Sequence, residues 1–272
     1  MTTHIGIITN NQYGVFQQNV IAGAQAVAAR YGYQVLVDSR DEADINSPTT
    51  LDLEALGGVL VIANPVPDDF IQSIHQSGKP VSLVSHQIVG IPGVVSNNSE
   101  GIAKLVQHLV QECGRRQFVF INGNMAQKDG VERQHVFRQE LMRYNLPDAY
   151  FLHGDFEPEI AIQSLQAFLA EAPPFDAVVA ADYLMARAAL GVLAEYGYAV
   201  PADVSVVGFG DGVEAAEAAL TTVAADVVEL GKRSIRQLIG QIQGLSIVGT
   251  TVLSVDLIIR ETSMNPSRER GV

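Results

Sequence analysis

Apolar runs of strand length alternate with segments of helical period along almost the whole chain. Ile5 to Thr9, Tyr33 to Val37, Gly58 to Ile62, Val81 to Val84 and Val94 to Val95 read as strands. Between them, Phe16 to Tyr31, Asp68 to Gln76 and Ser99 to Cys113 carry apolar residues at helical spacing. Gly32 and Gly78 stand where two of these helices end, and Pro80 follows closely, which is stop chemistry. The pattern then repeats. Strands are predicted at Phe118 to Ile121, Ala149 to Leu152, Ala177 to Ala180 and Val204 to Val207, with helices at Gly130 to Tyr144, Pro158 to Glu171 and Asp182 to Tyr196. Strands this apolar are buried on both faces, and strict alternation with helices implies parallel sheets covered on each side. Two such runs predict two similar doubly wound α/β lobes. The tail adds a helix at Val228 to Gly244 and a last strand at Thr250 to Ile259, and Met264 to Val272 is polar enough to expect a frayed end.

Composition fits that division. The 272 residues leave roughly 130 for each lobe, a common domain size. An apolar fraction of 47% is ample for two cores, and no segment approaches the roughly 20 uninterrupted apolar residues of a membrane span. The N-terminus, MTTHIGIITN, lacks the cationic start and the long apolar run of a secretory leader, so a cytoplasmic protein with no membrane partner is expected. A single cysteine, Cys113, excludes an internal disulfide framework and reads as a buried or half-buried thiol near a helix end. Thirty acidic against seventeen basic residues give a net charge of −13, which repels a phosphate backbone. Any action on DNA would therefore need a segment outside this sequence.

Catalytic motifs are absent. The six histidines form no HExxH pair, and none stands at metal-ligand spacing from Cys113. The chain has no G-x-S-x-G elbow, no P-loop and no complete G-x-G-x-x-G; Gly208 to Gly212 is only a glycine-rich strand end. Adjacent acids such as Asp68 and Asp69 are explained by their favourable place at a helix start. No enzyme is expected, and no cofactor or metal.

The stretch from Phe175 to Asp211 carries more: a buried strand, a helix opening with Asp182, a Val-Pro-Ala-Asp turn at Val200 to Asp203, and a strand ending Val207-Gly208-Phe209-Gly210-Asp211. In that order these parts resemble the effector-binding core of the lac repressor/gal repressor (LacI/GalR) family of bacterial transcription regulators. Arg133 to Leu141 looks like the family's Arg-x-x-Gly-Phe-Arg-x-Ala-Leu helix start. Gly114 to Ile121, Leu220 to Val223 and the closing Arg260-Glu261-Thr262-Ser263 match further family segments, so the resemblance runs from Ile5 to Ser263.

The resemblance implies site residues one by one. Arg133 would grip an effector, a role that suits a rigid fork of donors; otherwise it is a solvated charge set against the positive end of a helix. As a pure ligand contact it should be removable with little loss of stability. Asp182 stands at an effector-contacting Asn position but is also a natural N-cap, and Tyr183 replaces the Asp that follows in the family. Gly210 replaces the first Asp of Val-Gly-Phe-Asp-Asp, which grips ligand in many sugar-binding members, and Asp211 matches the second. In the first lobe the loop after the first strand lines the family's pocket, so Phe16 and Tyr13 are expected to offer aromatic faces to a ring. Asn97 is expected either to touch ligand or to cap the helix that follows it.

The implied fold is the type I periplasmic-binding-protein-like one, its two lobes joined by a three-strand hinge. Residues 1–115 with 226–249 would make the N-terminal lobe, residues 116–225 with 250–263 the C-terminal lobe, and residues 264–272 a tail. The implied protein is a homodimer that binds a small effector of the sugar, nucleoside or polyol class in the interlobe cleft. Operator DNA would be bound through an N-terminal helix-turn-helix headpiece that this sequence lacks. Ile71, Ile74, Val192 and Leu193 are apolar positions that either join the dimer contact or pack the cores. Two other readings stay open: a periplasmic solute-binding protein, and a sensing module fused to another signalling output.

Overall fold

The computed structural model describes residues 3–40, 47–171 and 173–263; the tail expected at 264–272 lies outside them. The chain divides into two compact units, Met1–Ser96 with Asp226–Leu253, and Asn97–Ala225 with Ser254–Val272.

The first unit is built on a six-stranded sheet. Its strands are β1 (His4–Asn10), β2 (Gln34–Arg40), β3 (Val59–Ile62), β4 (Val81–Val84), β5 (Gly93–Ser96) and β11 (Thr250–Leu253), in the order β11-β5-β4-β3-β1-β2. Every pairing is parallel. Alternate residues of one apolar run feed opposite cores: Leu60 and Ile62 of β3 face one side, Val59 and Val61 the other. Helices α1 (Val15–Arg30) and α8 (Val227–Ile242) close the first face with Val20, Ala24, Leu230, Ile235 and Leu238. Helix α2 (Asp68–Gln76) closes the other with Ile71 and Ile74. The α1–α8 contact is backbone-close, since a Cβ at Gly23 would stand 2.1 Å from Val228 O and one at Gly231 would stand 2.0 Å from Val20 O.

The second unit repeats the plan with β6 (Phe118–Ile121), β7 (Tyr150–Leu152), β8 (Ala177–Ala180), β9 (Ser205–Phe209), β10 (Thr221–Ala224) and β12 (Asp256–Ile258). The order is β12-β10-β9-β8-β6-β7, and β12 runs antiparallel to β10 at the edge. Helices α3 (Asn98–Gln107), α4 (Lys128–Arg143), α5 (Pro158–Ala170), α6 (Tyr183–Glu195) and α7 (Val213–Glu217) surround it. Val192 and Leu193 belong to its core, so these two and Ile71 and Ile74 are packing residues.

Three expectations need correction. The predicted helix Ser99 to Cys113 ends as α3 at Gln107 and continues as a π turn over His108–Glu112. That turn places buried His108 between Glu112 (Nδ1–Oε2 2.8 Å) and Ser263 (Nε2–Oγ 2.8 Å). The single last strand Thr250 to Ile259 is two strands in two sheets, β11 in the first unit and β12 in the second. Finally, α3 belongs to the second unit, so the first boundary falls at Ser96–Asn97 instead of near residue 115, and the third at Leu253–Ser254. Val255, 1% exposed and holding Lys104 Nζ on its carbonyl at 2.7 Å, anchors the start of that last segment.

Candidate functional site

Strands β8 and β9 of the second unit end side by side, and Arg133 of α4 reaches their carboxyl ends. Arg133 as a residue is 8% exposed. Nη1 donates to Ala181 O just past β8 (2.8 Å), Nε to Asn98 Oδ1 (2.8 Å) and Nη2 to Asp129 Oδ2 (3.4 Å). The plane stacks on Phe209, the last residue of β9, with 3.8 Å from Cζ to the ring centroid, and the Phe156 ring lies 5.9 Å away. A guanidinium has five N–H donors. Three are used, so two have no partner among the described residues. Burial pulls its pKa below the ordinary value, and the charges of Asp129, Asp182 and Glu132 pull the other way.

Asn98 is the hub beneath it. Buried at the first position of α3, it accepts from Arg133 and donates to Asp129 Oδ1 (2.8 Å) and Glu132 Oε2 (3.0 Å). Asp129 and Arg133 share one face of α4 because four residues separate them. Removing Arg133 would leave Asp129 and Asn98 buried without their partner. Loss of Arg133 is therefore expected to cost stability, contrary to the reading of it as a side chain removable without effect on the fold.

Asp182 caps α6, its Oδ1 accepting from Met185 N at 2.8 Å. Burial pushes its pKa up from 3.8 to about 6, with Glu157 adding to the rise, although the Met185 N–H and the Arg133 charge oppose it. Tyr183, next in the chain, is buried, and its hydroxyl lies 3.4 Å from Glu214 Oε2. Burial, then the Glu214 and Asp182 charges, push its hydroxyl pKa up to about 12. The Tyr183 ring covers the glycine turn after β9. A Cβ at Gly210 would meet its Cδ1 at 3.1 Å, and one at Gly212 its hydroxyl at 2.7 Å; Gly210 also holds φ at +87°. A side chain at position 210 would thus press tightly on the edge of the Tyr183 ring.

The remaining predicted residues have other partners. Asp211 grips Arg260 in a two-pronged pair (2.9 and 3.0 Å) and accepts from the Thr222 hydroxyl at 2.8 Å. Burial raises its pKa, but the Arg260 fork and Thr222 outweigh that and hold it below the usual carboxylate value. Asn97 exchanges two bonds with Glu100, its Oδ1 accepting from the backbone N–H (3.1 Å) and its Nδ2 donating to Oε2 (3.0 Å), which is helix capping. In the first unit, Tyr13 is 77% exposed on the loop after β1, and Phe16 packs half-buried against the core beneath α1.

The structure therefore gathers Arg133, Asp182 and Tyr183 with Asn98, which the sequence offered only as one of the pair Asn97-Asn98, and adds Asp129, Glu132, Phe209 and Phe156, which were not singled out from sequence. Only Asp129 had a readable signal, its place four residues before an arginine on a predicted helix.

Residues 106–263 match the model of the periplasmic binding protein-like domain. The chain is similar to the transcriptional regulator CelR of Thermobifida fusca, 31% identical over 215 residues that cover 75% of this chain and 63% of the regulator. It thus spans a little under two thirds of the length of that relative. A solved CelR–cellobiose complex superposes with a TM-score of 0.82 at 26% identity, covering 96% of this chain and 84% of the other. The lac repressor dimer bound to operator and an anti-inducer shares the fold, with a TM-score of 0.85 at 22% identity over 97% of this chain and 95% of the repressor.

Proposed function

The chain belongs to the periplasmic binding protein-like domain family, as an effector-binding core of the LacI/GalR type, and from that membership we propose that it senses a small molecule on behalf of a bacterial transcription regulator. The effector is of the sugar, nucleoside or polyol class. It is held in the second unit by Arg133, Asp182 and Tyr183; in the first unit Tyr13 and Phe16 are the proposed aromatic contacts. The observation that carries the reading is Arg133: a buried guanidinium at the strand ends, fixed by Asn98 and Phe209, with two donors still unspent. In open α/β sheets, ligands bind outside the carboxyl ends of strands. The relatives are regulators, one of them solved with cellobiose, and this supports the same output and a hydroxyl-rich ligand. The proposed protein acts in the cytoplasm as a homodimer. No helix among the described residues is long and apolar enough to cross a membrane.

Ligand binding and DNA binding would be reciprocally coupled, each changing the affinity of the other by the same factor. The native full-length protein, isolated from its own cells, tests this. It should be heavier than this chain at the N-terminus, retain a specific DNA fragment from its genome, and release or tighten on it when effector is added. A native protein that binds ligand but no specific DNA would make it a solute-binding protein or a sensor with another output.

A further inference from the structure

Resting on the effector-binding reading, we propose that this site selects ligands without negative charge: it takes uncharged hydroxyl-bearing compounds and rejects their carboxylated and phosphorylated forms. An isolated buried arginine would argue for the opposite, since a guanidinium fork fits a carboxylate or phosphate. This arginine is not isolated. Asp129 is paired with it at 3.4 Å, and Glu132 reaches the same Asn98 amide at 3.0 Å. Asp182 interacts with it electrostatically from the start of α6. Three carboxylates face one guanidinium, an excess of two negative charges when all are ionised. No lysine and no second arginine hydrogen-bonds or ion-pairs with any of these groups among the described residues.

The surroundings extend the imbalance. Asp155, Glu157 and Glu159 follow β7, and partial burial together with Glu159 and Asp155 raises the Glu157 carboxyl pKa. One face of the Arg133 plane is closed by Phe209, so what it still offers is two N–H donors whose charge is balanced from behind. Such donors, with the Asp182 carboxylate as acceptor, match hydroxyl groups. An arriving anion would find its attraction to Arg133 already spent on Asp129 and would be repelled by Asp182 and, with partial solvent screening, by half-buried Glu132. Position 210 has no side chain and Asp211 is held by Arg260, so the end of β9 does not alter the balance.

Matched pairs test the inference: cellobiose and cellobionate, glucose and glucuronate, ribose and ribose 5-phosphate, and cytidine and adenosine with their 5′-monophosphates. Binding to the full chain is measured by calorimetry at pH 7.5. The expected result is that at least one neutral member binds and its anionic partner binds at least tenfold more weakly. An anion that binds as well as its neutral partner, better, or less than tenfold worse overturns the charge rule while leaving effector binding intact. Failure of every compound to bind would instead count against the effector-binding reading, and this inference would fall with it. Asp129→Asn keeps the shape and removes one charge, so it should shrink the neutral-to-anion ratio at least threefold; an unchanged ratio rules out charge as the cause. If that variant does not fold, Glu132→Gln, whose side chain is only half-buried, carries the same expectation.

Discussion

Asp182 holds the first turn of α6 through Met185 N while its carboxylate sits where ionisation is costly. The consequence can be worked out by sign. The carboxyl pKa is about 6 in the folded chain and near the ordinary 3.8 when unfolded. Between those values the folded state holds a proton that the unfolded state has lost, so stability falls as pH rises through about 4 to 6 and the penalty is complete above it. Asp182→Asn keeps a capping oxygen and removes the charge. At pH 7.5 it should raise stability by on the order of 1–2 kcal/mol, discounted from the full shift because Asp182 is only part-buried, and at pH 4 the two proteins should melt together. A lower melting temperature at pH 7.5 would show that attraction to Arg133 outweighs burial. Asp182 was legible at this scale as a cap, and the structure shows that cap. Asn98 was not separable from Asn97, because two adjacent asparagines at a helix start look alike until the fold shows one bonding Glu100 and the other Arg133.

Among elements, α1 and α8 carry the most specific packing. Gly23 and Gly231 let the two backbones touch, and the contact is fixed by the absence of two Cβ atoms. Gly231→Ala should therefore cost about 3 kcal/mol or more, as overpacking a core does. Gly191, in the middle of α6, has no atom within 4 Å of its would-be Cβ, and Gly191→Ala should stabilise by roughly 0.5–1 kcal/mol from helix propensity alone. Urea midpoints would measure both; similar effects at the two positions would contradict the close approach of α1 and α8. Periodicity had placed both helices, but it carries no information on which helices meet. The break in Thr250 to Ile259 was hidden for a related reason. Ser254 and Val255 contain no glycine or proline, and only the burial of Val255 and its bond to Lys104 distinguish the end of one strand from the start of another.

At the scale of the molecule, the proposed regulator is a homodimer. Sedimentation equilibrium of this chain at micromolar concentration should give twice the mass of 29.2 kDa; a monomer at every concentration would favour the solute-binding alternative. The net charge of −13 makes the surface of this chain as a whole unfavourable for nucleic acid.

The sequence by itself determined the elements and their class. Strands buried on both faces must be apolar throughout and helices must be apolar every three to four residues, so local composition reports them directly. It also determined which side chains were available for a site. The tertiary structure alone decided strand order, the division of residues 250–259 between two sheets, and the partners of each charged group. Arg133 acquires its meaning from Asn98, Phe209 and Ala181, which lie 35, 76 and 48 residues away in the chain. Whether a buried arginine attracts an anion or is already neutralised depends on distances of a few ångströms between such residues, and no local pattern encodes them.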